Sequence, residues 1–247
     1  MMLNYIYDGT FEGLLTAIYE AYYRRQVPEK IVSQHGFQQE LLYENIYIET
    51  DDEKADKVYL SIREKISPQA LQHVFYVFLS ECDEAGTWIY QYLRLGWKVG
   101  RKVDMYEADD RVLAIHRMSR KVSGEAHRLL GLIRFRHVQG DIYYAPIEPD
   151  YNIIALMAPH FVKRFGAQNW IIHDIKRKLA AMYDQKNWII TDFIDNADMN
   201  FEETEVFYQK LWKKYFESIA IKSRINPRLQ RRCMPARYWR YLIELKN

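Results

Sequence analysis

The chain has 247 residues, 49% of them hydrophobic and 15% aromatic, so it can bury the core of one large domain or of two lobes. Its 7 Pro and 10 Gly are too few for long disordered linkers, and a formal net charge of +2 excludes a uniformly polybasic or polyacidic protein. Cys82 and Cys233 stand alone, which excludes a disulfide framework and a four-cysteine metal site and suits a reducing cytosol.

The N-terminal half reads as mostly helical with two short strands. Leu3 to Tyr7 predicts a strand, and Asp8-Gly9-Thr10 a tight turn into a helix capped by Thr10. Phe11, Leu14, Leu15, Ile18, Tyr19 and Tyr22 form its apolar stripe, and the helix ends near Arg24-Arg25. Asn45 to Glu49 predicts a second strand, followed by Thr50-Asp51-Asp52-Glu53 in a capping-box pattern that starts the next helix. Ser67-Pro68 starts another, with Leu71, Val74, Phe75, Phe78 and Leu79 buried. A helix carrying Trp88, Ile89, Tyr92 and Leu93 loosens near Gly96 and Gly100, and a more polar one runs from about Glu107 to Arg128.

The C-terminal half predicts a sheet. Leu129 to His137 and Ile142 to Ile147 flank a Gln139-Gly140 turn and read as a hairpin, with Arg134 and Arg136 on one strand face. Pro149-Asp150 starts a helix capped by Asp150, with Ile153, Ile154, Met157, Ala158, Phe161, Val162 and Phe165 apolar and Pro159 bending or restarting it. Trp170 to Asp174, Lys178 to Tyr183 and Trp188 to Asp192 complete an antiparallel sheet of four or five strands, the last two joined through Gln185-Lys186-Asn187. Phe201 to Ser218 is a long helix, and a basic tail follows. The expected fold class is α+β, divided as 1–128, a mostly helical lobe, and 129–247, a sheet lobe with a C-terminal helix and basic tail, both within one integrated domain.

Charge is segregated along the chain. Between Lys213 and Arg240 there are nine Lys or Arg against Glu217 alone, whereas Asp192 to Glu205 is acidic. Arg117, Arg120, Lys121 and Arg128 on one helix, Arg134 and Arg136 on a strand, and Arg224, Arg228, Arg231, Arg232, Arg237 and Arg240 in the tail are candidates to neutralise phosphates. Tyr238, Trp239 and Tyr241 add stacking surface, with Trp239 the candidate to stack on a base. The competing reading is a solvated surface whose aromatics belong to the core.

For chemistry, Asp8 and Glu12 form the best carboxylate pair, although helix capping also accounts for them. His160 and Arg164, four residues apart on a helix, could orient a phosphate or carboxylate, or form a surface pair. Asp192, Asp195 and Asp198 could gather a divalent ion or favour the start of the next helix. The histidines show no ligand spacing, so no metal is expected; no nucleophile motif, phosphate loop or dinucleotide fingerprint occurs. No apolar run approaches the roughly 20 residues that cross a bilayer, and the first residues are no secretory leader, so a cytoplasmic protein without membrane contact is expected.

Tyr7-Asp8-Gly9-Thr10-Phe11-Glu12-Gly13-Leu14-Leu15, His160-Phe161, Arg164-Phe165, Gln168, Trp170, Asp174 and Met234-Pro235-Ala236-Arg237-Tyr238-Trp239 together resemble an uncharacterised bacterial family named for DNA metabolism or DNA repair. The resemblance implies association with a radical-SAM DNA repair protein, and some relatives are fused to a uracil-DNA-glycosylase-like domain. The chain lacks the three-cysteine motif of a radical-SAM enzyme, and no cofactor of its own is expected. Three functions follow as expectations. The first is a DNA-binding protein in repair or modification, duplex or single-stranded, acting with a radical-SAM partner. The second is an enzyme on damaged or flipped bases, hydrolase or glycosylase-like, using Asp8, Glu12, His160 and Arg164. The third is a protein-interaction scaffold without DNA binding of its own.

Overall fold

Strand β1 (Met2–Tyr7) carries Asn4, Tyr5 and Ile6 fully buried, the continuous burial expected of a central strand in a parallel sheet. In the computed structural model, which describes residues 2–35, 37, 43–193, 202–219 and 226–245, β1 lies between β2 (Lys30–Ser33) and β3 (Tyr43–Tyr47), both parallel to it. β2 escapes sequence reading because it has four residues and Ile31 alone is buried. Only its register opposite Asn4 to Tyr7 defines it.

The described chain divides into two compact units, Met1–Ser123 and Gly124–Asn247. The expected boundary after Arg128 and the observed one both fall inside a single helix, α5 (Asp110–Leu132).

In the first unit, α1 (Phe11–Tyr23) is capped by Thr10 as its sequence predicts, with Thr10 Oγ1 accepting from Gly13 N at 2.9 Å. Helix α2 (Asp52–Ser61) corrects the capping-box expectation. Asp51 is the cap, accepting from Lys54 N at 3.1 Å, while the Thr50 hydroxyl donates to Asp8 instead. A π turn over Ile62–Ile66 leads to α3 (Pro68–Phe78), capped by Ser67, with Pro68 in the first turn. Helix α4 (Ala85–Val99) does not loosen at Gly96. It stops at Gly100, whose φ of 64° suits a residue without a Cβ. A 3-10 turn over Gly100–Met105 then precedes α5. Tyr5, Leu14, Ile18, Ile62, Ile89, Leu93 and Ile115 belong to one buried core.

In the second unit, α5 runs through Leu132, so the expected strand from Leu129 shrinks to β4 (Arg136–Val138). It pairs antiparallel with β5 (Ile142–Ile147) across a turn in which Gly140 and Asp141 have φ of 86° and 55°. Helix α6 (Ile154–Arg164) then returns the chain so that β6 (Asn169–Asp174) lies parallel to β5. The sheet is therefore mixed, not antiparallel throughout: β7 (Leu179–Tyr183) and β8 (Trp188–Asp192) add antiparallel, in the order β4-β5-β6-β7-β8. Alternation alone does not distinguish a hairpin from a crossover strand; the helix between β5 and β6 does.

Helix α6 continues through Pro159, and Asp150 does not cap it. Phe161 and Phe165 pack edge-on around Phe135 with centroids 5.2 Å away, and Trp170 lies 6.4 Å from Phe135. Helix α7 (Glu203–Ile219), α8 (Pro227–Cys233) and short 3-10 turns over Ala236–Tyr241 and Ile243–Leu245 complete the unit. The class is α+β. No described helix is long and apolar enough to cross a membrane. Arg224, Asp195, Asp198 and Phe201 lie outside the described residues.

Candidate functional site

The predicted cations separate into those held by the fold and those facing solvent. On α5, Arg117, Arg120 and Lys121 are exposed in the first unit, and none forms an ion pair among the described residues. Positions 117, 120 and 121 follow the i, i+3, i+4 rule and lie on one side of the helix. Arg128, in the second unit, is exposed as well, and so are Arg231 and Arg232 on α8. Arg231 Nε donates to the Pro227 carbonyl at 3.3 Å.

Four other predicted phosphate ligands are engaged within the fold. Arg134 lies outside the strand and donates to both carboxylate oxygens of Glu244, at 2.6 and 3.2 Å, and its guanidinium sits 5.1 Å over Trp212. Burial of Arg136 lowers its pKa, opposed by the negative charge of Glu205, so its guanidinium is a partly buried group of the fold. Arg237 pairs with Asp150 at 2.6 Å and Glu125 at 3.3 Å, and Arg240 with Glu148 at 3.2 Å. Trp239 is partly buried, and its indole N–H donates to the Met234 carbonyl at 3.0 Å. Each of these groups would have to leave a partner to meet a phosphate or a base.

Glu125 explains why the resemblance segment around Arg237 folds as it does. Its carboxylate is fully buried and accepts the backbone N–H groups of Asp150 and Tyr151, both at 3.0 Å, the Tyr238 hydroxyl and the Arg237 guanidinium. The Tyr238 phenol is pushed up to about 12 by burial and by this carboxylate. Glu125 thus supplies acceptors to the segment before α6, where Asp150 was expected to act as a cap.

Of the acid/base candidates, Asp8 is committed to the turn before α1. Its carboxylate accepts from Thr10 N at 2.9 Å, Thr10 Oγ1 at 2.7 Å and Thr50 Oγ1 at 2.8 Å. Burial would raise its pKa, but the Thr10 and Thr50 hydrogen bonds prevail and hold it below the usual carboxylate range. A carboxylate so held is a poor general base near neutrality. Glu12 is exposed in the first turn of α1. His160 and Arg164 are exposed on α6, the imidazole edge-on to Phe161.

Arg164 also borders a groove of about 760 Å³ in the second unit. Phe135, Phe161 and Phe165 form one part of its lining and Tyr208, Trp212 and Tyr215 of α7 another. The aromatic side chains of α7 are largely uncovered, with Tyr208 60% exposed and Tyr215 54% exposed. The sequence reading gives this helix as Phe201 to Ser218 but not that its aromatic side chains line a cleft.

The first unit holds a cluster that sequence reading missed. His73 on α3, Asp104 in the 3-10 turn and His116 on α5 place one donor atom each within 4.8 Å of one another. His116 Nε2 lies 2.9 Å from Asp104 Oδ1, which also accepts the Tyr92 hydroxyl at 2.7 Å. Burial lowers the His73 pKa, with Asp104 opposing and His116 reinforcing the shift, so the neutral imidazole is favoured. Three separate elements supply the residues, so no local spacing signals them.

A family described as a domain of unknown function (DUF4130) matches residues 83–244. No curated protein matches the chain.

Proposed function

The chain belongs to the DUF4130 family, and we propose that it binds DNA through the solvent-facing side of α5, acting in DNA repair or modification. One observation carries this reading: Arg117, Arg120 and Lys121 form an exposed cationic ridge without ion-pair partners among the described residues. Each side chain can meet a phosphate without first leaving a carboxylate, and binding would release condensed counterions. The ridge supplies affinity but no base readout, so it suits a protein that holds DNA for another activity. The resemblance in sequence supports a radical-SAM protein as that partner. The test is DNA affinity of the full chain as a function of salt, on duplex and single strands. A steep loss with salt supports phosphate contact, and a flat profile rejects it.

The aromatic groove favours a second reading, an activity on a damaged or flipped base. Its volume falls within the range of small-molecule sites, and six aromatic rings with Arg164 offer stacking and a cation. DNA containing 2-aminopurine would gain fluorescence if the base left its stack in the groove, and Trp212→Ala would abolish the gain. No gain with the intact protein would remove this reading.

A further inference from the structure

We propose that His73, Asp104 and His116 form a binding site for a divalent transition-metal ion, with zinc as its representative. The inference concerns the first unit alone and stands whether or not the chain binds DNA.

Two imidazoles and one carboxylate are the combination that holds zinc or ferrous iron while leaving positions open for water or substrate. In a tetrahedral zinc site with bonds of about 2.0–2.1 Å, donor atoms sit about 3.3 Å apart. Here the three donors lie within 4.8 Å of one another, and one pair, His116 Nε2 and Asp104 Oδ1, is at 2.9 Å. The packing of α3, the 3-10 turn and α5 already brings the three donors together.

Hydrogen bonds from neighbouring side chains surround the donors. Ser119 Oγ lies 2.9 Å from His73 Nδ1, and Ser119 is almost fully buried, so it can fix the imidazole tautomer; His73 Nε2 lies 3.3 Å from the amide nitrogen of exposed Gln69, a contact that an ion on that ring nitrogen would displace. The Tyr92 hydroxyl orients Asp104 from within the core. Metal-ligating histidines and carboxylates are ordinarily held by such outer hydrogen bonds. His73, Asp104 and His116 are all partly exposed, which leaves a path for the ion and room for an exchangeable ligand.

A purely structural Asp104–His116 hydrogen bond is the alternative, and the experiment separates the two. The full chain, stripped with a chelator, is titrated with Zn²⁺ by calorimetry and with Co²⁺ by visible absorption. The expected result is one ion per chain, Co²⁺ bands of low-coordinate N/O ligation, and loss of both in His73→Gln, Asp104→Asn and His116→Gln. Ser119→Ala should weaken binding by about tenfold while leaving the Co²⁺ spectrum unchanged. X-ray absorption of the zinc-loaded intact protein, which depends on no variant's folding, should show two imidazoles with oxygen ligands. Absence of stoichiometric uptake, uptake that survives all three ligand variants, or a first shell containing sulfur would each overturn the proposal.

Discussion

Glu125 and Arg237 meet across the second unit at 3.3 Å, a fully buried carboxylate from α5 against a guanidinium from the C-terminal 3-10 turn. The Tyr238 hydroxyl and two backbone N–H groups converge on the same carboxylate. Glu125→Gln should therefore destabilise the protein by about 3 kcal/mol, because an amide cannot accept from all four donors and leaves Arg237 without this counter-charge. Urea unfolding monitored by circular dichroism checks it. A change within about 0.5 kcal/mol would show that the buried network is dispensable.

Glu244 offers a pH-dependent counterpart. Burial raises its pKa, but hydrogen bonds from Arg134 and Trp212 prevail and hold it below its ordinary value of 4.5. The unfolded chain takes up the proton at the ordinary value, and the folded chain takes it up at lower pH. The carboxylate's contribution is thus complete above the unfolded value and disappears as pH falls through the folded one. Between about pH 5 and 3, stability of the intact protein should fall more steeply than that of Glu244→Gln. Parallel curves would contradict the assignment.

At the start of α1, two effects oppose each other at Gly13. Helix propensity favours Ala by about 1 kcal/mol, but a Cβ there would stand 2.2 Å from Asp8 Oδ1 and 2.8 Å from Thr50 Oγ1. Close approach wins, because moving the carboxylate breaks the hydrogen bonds from Thr10 and Thr50. Gly13→Ala should cost about 2 kcal/mol, read as a lowered urea midpoint. Stabilisation would mean that the turn can relax.

For the α5 ridge, the expected signature is a change in salt dependence. Replacing Arg117, Arg120 and Lys121 together by Gln should reduce the slope of log affinity against log salt by up to about 3. Arg240→Gln, which removes a cation already paired with Glu148, should change the slope by much less. Equal effects from the two replacements would remove the distinction between exposed and occupied cations.

Local chemistry is what the sequence carried. Thr10 and Ser67 cap their helices, the stretches read as strands from Trp170 onward become β6, β7 and β8, and α7 forms over most of the helix expected from Phe201 to Ser218. Each depends on neighbours a few residues away, the range over which propensity and hydrogen-bond capping act. Direction and partnership depend on the folded chain: β5 and β6 run parallel because α6 intervenes, and Arg134, Arg237 and Arg240 meet carboxylates distant in sequence. A charge count cannot separate an arginine facing water from one consumed by the fold, since both have the same local sequence. Likewise His73, Asp104 and His116 come from three elements, and only the packing of those elements makes them neighbours.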